Sequence, residues 1–80
     1  MQASLSDWIV SNSEILGGKP CVRGTRLSVA FLLELTASGA SSQQILERYP
    51  HLPPEGLAAA YEYAARVLRS DVIWDLPISA

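Results

Sequence analysis

The chain has very little of the chemistry from which enzymes and metal sites are built. It carries one cysteine, Cys21, and one histidine, His51, in 80 residues. A lone cysteine excludes an intramolecular disulfide and a cysteine-based metal site. A zinc site at His51 would need several carboxylates to complete it. No second histidine is present to act as a base, and Cys21 has no evident partner that would activate it. The expectation is therefore no catalytic residue, no metal, no cofactor and no enzymatic activity. A run of eighteen apolar residues is also missing, so no membrane-spanning helix is expected. The stretch Met1 to Asp7 lacks the basic and then apolar order of a signal peptide, and the expected location is the cytoplasm. Basic excess is lacking as well. The formal net charge is −2, whereas domains that bind nucleic acid usually carry a positive surplus.

What is present is apolar surface. Apolar residues make up 49% of the chain, a high share for a single domain (residues 1–80) with so much surface per unit volume. Some of that surface is expected to stay exposed on a monomer and to mark an interface, in a homodimer, with a partner protein, or both. Charge is unevenly placed. Lys19, Arg23 and Arg26 fall in a stretch without acids, while most of the acids lie beyond residue 30. A basic N-terminal segment precedes a mildly acidic body.

Along the chain, Trp8-Ile9-Val10 and Pro20-Cys21-Val22-Arg23 read as short extended runs separated by Ser11-Asn12-Ser13 and Gly17-Gly18. Residues 8–28 are thus expected to form an irregular β element. Ser28 is a suitable N-cap for a helix over Val29–Ser38, with Gly39 at the left-handed C-terminal position. That helix is apolar nearly all round, which predicts burial on several sides. Ser41-Ser42-Gln43-Gln44 has the form of a capping box and opens a second helix that Pro50 ends. Pro53-Pro54 suits the first turn of a third helix reaching about Ser70, whose stripe Leu57, Tyr61, Ala64 and Leu68, with Ala60 and Val67 beside it, predicts a core face. Residues 28–70 are therefore three helices, and residues 71–80 form an apolar tail. The outline fits a helix-turn-helix body or a plain three-helix bundle.

The stretch Ile15-Leu16-Gly17-Gly18-Lys19-Pro20-Cys21-Val22-Arg23-Gly24-Thr25-Arg26-Leu27-Ser28-Val29 resembles a known family. Its hallmark, G-G-K-P-x-[IV]-x-G-T-R-[IL]-x-V, is that of the bacterial and archaeal domain-of-unknown-function family 433, and every fixed position is matched. Gly39 with Ile45-Leu46-Glu47-Arg48-Tyr49-Pro50-His51-Leu52 is similar to the family's second signature, and Ala58 to Ala64 resembles its third. The resemblance covers about residues 8–66. It implies a mainly α, homeodomain-like tri-helical helix-turn-helix body with a short N-terminal β element. Many members are encoded beside a small PIN-type nuclease and look like the antitoxin of a toxin–antitoxin pair. That implies DNA binding at the pair's own promoter and capture of the toxin by a terminal tail.

The residues themselves temper this. Gly-Gly-Lys-Pro lacks the spacing of a phosphate loop. Lys19, Arg23 and Arg26 suit either DNA phosphates or, at a dimer interface, acids such as Glu14 or Glu34. The start of the third helix should enter the major groove, yet it offers Pro54, Glu55, Gly56, Ala58, Ala59 and Glu62, with no side chain suited to gripping a base edge. Lys19, Arg23, Arg26, Gln43, Gln44 and Arg48 are the better nucleic-acid candidates. In the tail, Val72, Ile73, Trp74 and Leu76 suit either contact with a partner or packing on the chain's own core. The expected protein is a dimeric antitoxin-like module that captures a PIN-type toxin and contacts DNA. A stand-alone transcription regulator and an oligomerisation scaffold are the alternatives.

Overall fold

A computed structural model describes residues 5–69, and the tail residues Val72, Ile73, Trp74 and Leu76 lie outside that range. A single helical turn, α1 (Leu5–Trp8), leads directly into β1 (Ile9–Val10). β1 pairs antiparallel with β2 (Cys21–Val22), Ile9 standing opposite Val22 and Val10 opposite Cys21. The connection between them doubles back through Leu16, Gly17 and Gly18, all at positive φ, a conformation that the two glycines adopt without steric cost. The Ser11 hydroxyl donates to the Gly18 carbonyl and ties the base of this loop.

Three longer helices follow, and their ends are set by local chemistry. α2 (Val29–Ala37) begins at Ser28, whose side chain accepts a hydrogen bond from the Phe31 N–H. It ends with Gly39 at φ +107°, the Gly39 N–H donating to Thr36 and the Ala40 N–H to Leu35. This is the pattern of a Schellman cap. α3 (Ser42–Arg48) carries both halves of a capping box between Ser41 and Gln44. α4 (Pro54–Arg69) starts on a proline whose missing N–H costs the first turn nothing.

The core is formed by Val22, Val29, Leu32, Ile45, Leu52, Leu57 and Ala60, with Trp8, Leu27, Tyr49 and Tyr61 packed against it. α4 is the element on which α1, α2 and both strands pack, and a Thr36–Tyr61 hydrogen bond of 2.6 Å joins α2 to α4. The mainly α class with an N-terminal β element is the one observed.

Three expectations need correction. Trp8, expected in the extended run, instead closes the helical turn α1. α2 is not buried on several sides: only Val29 and Leu32 are buried, and Leu33 is 37% exposed. With one small core to face, α2 presents one side to it and the other to solvent. The stripe on α4 is covered at Leu57 and Ala60, but Val67 is 44% and Leu68 67% exposed. The helix simply runs on past the core. Among the described residues no helix is long and apolar enough to cross a membrane.

Candidate nucleic-acid interface

Two loops meet to form a groove on the surface of the domain. The first is the turn after β2. The Thr25 N–H and hydroxyl both donate to the Val22 carbonyl, at 3.0 and 2.8 Å. The Leu27 N–H in turn donates to the Thr25 hydroxyl at 3.1 Å. Gly24, at φ +80°, makes so tight a turn possible. Leu27 then leans on the core while Arg26 stays exposed.

The second is the end of α3. Ile45 is buried and fixes the helix by its inner side, leaving Arg48 exposed in the last turn. Tyr49 is half-buried and meets Phe31 edge-on, with ring centroids 5.9 Å apart. Leu52 is buried and anchors the far side of the turn, so that Pro50 and His51 remain on the surface. Residues Gly24 to Leu27 and Arg48 to His51 line a groove of about 450 Å³. A second groove, of about 430 Å³, lies on the other side of Arg48 and Tyr49 and is lined also by Leu35, Ala40, Gln44 and Ile45. No acidic residue lines either one.

The six residues expected to touch nucleic acid are sorted by this geometry. Arg26 and Arg48, distant in sequence, line one groove. Gln44 borders the neighbouring groove, but its side-chain oxygen accepts the Ser41 N–H at 2.8 Å. An amide must offer both its oxygen and its nitrogen to grip an adenine edge, and this one has committed its oxygen. Gln43 donates to Glu47 at 3.3 Å. Arg23 is bound to α1: its Nε donates to the Asp7 carbonyl and its backbone N–H to the Trp8 carbonyl, both at 2.7 Å. Lys19 is exposed and lines neither groove.

His51 and Tyr49 are the additions. The signal that was available is the spacing of His51 three places after Arg48, across a proline that forces a turn.

The start of α4 also differs from its sequence reading. Gly56 and Ala59 face the core and cannot enter a DNA groove. The exposed positions are Pro54, Glu55, Ala58 and Glu62, and Glu62 holds Arg66 at 2.9 Å. Cys21 is fully buried within β2. Among the described residues no three His, Cys, Asp or Glu side chains are grouped to hold a metal ion.

Comparison with known proteins gives three likenesses. A family model described as "Protein of unknown function (DUF433)" matches residues 9–64. The "Uncharacterized protein y4eO" of Sinorhizobium fredii (strain NBRC 101917 / NGR234) is 40% identical over 78 residues, covering 94% of this chain and 35% of that protein. The chain thus spans about a third of that relative's length. The crystal structure of a DUF433 member protein from Anabaena variabilis ATCC 29413 superposes with a TM-score of 0.74 at 31% identity. That match covers 81% of this chain and 64% of the other.

Proposed function

The chain belongs to the DUF433 family, and from that premise we propose that it is a non-catalytic binding module of the antitoxin kind. In this reading one surface captures a PIN-type nuclease and a basic surface holds the pair on DNA, the module itself being a homodimer in the cytoplasm. The carrying observation is Leu68 in the last turn of α4, a large apolar side chain that is 67% exposed. A large apolar side chain exposed near a helix end favours an interface over a free surface. In the sequence it is followed by the tail residues Val72, Ile73, Trp74 and Leu76, which have the apolar and aromatic character of interface anchors. Groups suited to acid–base or nucleophilic chemistry do not converge among the described residues, which favours binding over catalysis. The match to about a third of a longer relative suits a module that works joined to other parts.

A stand-alone regulator that reads bases through α4 is less well supported, because the exposed residues of its first turns include Glu55 and Glu62 and carboxylates repel phosphates.

The test is to look for a PIN-type reading frame beside the gene and to co-express its product with this chain; the absence of such a frame counts against the proposal. The expected result is a stable complex in which the nuclease is silent, and deletion of residues 71–80 releases it. A nuclease that stays active and separates during purification overturns the proposal.

A further inference from the structure

We infer that the groove between the β2–α2 turn and the α3–α4 turn binds the phosphodiester backbone of nucleic acid without reading its sequence. The inference rests on the DNA-holding half of the function proposed above, and it adds a site, a mode and a new residue. Arg26 and Arg48 stand on the two walls of one groove with no acid in its lining. Neither has a hydrogen-bond or ion-pair partner among the described residues. The nearest acid along the chain, Glu47, accepts from Gln43. Two guanidinium groups facing one acid-free concavity suit an oxyanion with several acceptor oxygens. His51 adds a third nitrogen donor on the same rim.

Backbone binding without base readout follows from what carries these groups. Base reading in the major groove is usually done from a helix or a β-ribbon laid inside it. Arg26 sits on a loop and Arg48 in the last turn of a seven-residue helix that Pro50 closes. The helix that follows presents Glu55, Ala58 and Glu62. Gln43 and Gln44 already have partners, Glu47 in α3 and the N-cap residue Ser41. Contacts of this kind position a protein on nucleic acid and carry no sequence information.

Fluorescence anisotropy of the full chain tests this, with one labelled duplex from the upstream region of its gene and one scrambled duplex of equal length. The two duplexes should bind alike. Arg26→Ala and Arg48→Ala should each weaken both by about tenfold and each lower the salt-dependence slope by about one. His51→Ala should weaken both to a smaller degree. Arg66→Ala, whose guanidinium is held by Glu62, should change neither. Arg26→Glu gives a second route, with a larger loss than the alanine change. Melting curves should show all five variants folded, as each changed side chain is exposed.

Four results overturn the inference. They are wild-type affinity in the Arg26→Ala/Arg48→Ala double variant, a strong preference for the upstream duplex, no binding to either duplex, or displacement of the duplex by polyglutamate at equal charge. The last would assign the groove to an acidic protein partner. Retention of the nuclease is measured on the same samples. A chain that holds the nuclease but no duplex overturns this inference alone, and one that holds the duplex but no nuclease overturns the capture proposal alone.

Discussion

A methyl group placed on Gly56 would stand 2.6 Å from Cγ1 of Val22, so the first turn of α4 lies directly on the side chain of the sheet. Trp8 closes the same contact, its ring 3.5 Å from that position. Val22 is completely buried and has nowhere to retreat. Glycine is therefore required there by packing, not by backbone conformation.

Gly56→Ala should consequently destabilise the domain. Overpacking costs about 1–3 kcal/mol, against a gain of up to about 1 kcal/mol from helix propensity. Urea unfolding should show a lower midpoint, and an unchanged or higher one would mean that the contact is looser than described. Combining the change with Val22→Ala should cost less than the two single losses added together, since each relieves the other's crowding.

Ser41→Ala should cost about 1 kcal/mol, by removing the acceptor for the Gln44 N–H at 3.1 Å. Gln44→Ala removes the reciprocal half of the box. Because both act on one helix end, their combined effect should fall short of the sum. Duplex affinity of the folded Gln44→Ala variant should equal that of wild type, and a clear loss would restore Gln44 as a nucleic-acid contact.

Leu68 and Leu32 separate an interface residue from a core residue. Leu32→Ala opens a cavity in a fully buried site and should cost about 2–5 kcal/mol, a large part of what so small a domain possesses. Leu68→Glu changes a side chain that is 67% exposed and should move stability by no more than about 0.5 kcal/mol. Its effect should be on association, seen as loss of nuclease retention or of self-association in sedimentation. If Leu68→Glu unfolds the chain and leaves association untouched, the end of α4 is structural.

Cys21 should be silent toward thiol reagents until the chain unfolds. It is fully buried next to Val22, so a disulfide reagent such as DTNB should react slowly in buffer and at once in urea. Fast reaction in buffer would mean that the sheet opens readily. Cys21→Ser should destabilise by about 1–3 kcal/mol unless the hydroxyl finds a partner.

Much of the fold is legible because its signals are local. Ser28, Gly39 and the Ser41–Gln44 pair act within four residues of themselves, and each stands where its chemistry says it should. The extended runs at Ile9–Val10 and Cys21–Val22 are legible too, although nothing in their residues states the register. What resists reading depends on contacts between distant parts. Gly56 looks like an ordinary weak point in a helix until Val22 is brought against it. The stripe ending at Leu68 tells which side of α4 faces inward, but not where the core stops. The groove was half visible: Arg26 and Arg48 stand out as basic residues, yet only folding sets them on facing walls with His51. Gln43 and Gln44 look available in the sequence, which shows the groups a residue has and not which are already engaged.

The length of α4 has a mechanical meaning. Sixteen residues of helix span about 24 Å, and the contact between Gly56 and Val22 clamps one end to the sheet. The other end carries Leu68, which is 67% exposed. A cargo gripped at its tip is held on a rigid strut, roughly a helix length from the Arg26–Arg48 groove near its root. The domain would then act as a spacer, setting how far apart its two attachments stand while leaving each free of the other's bulk.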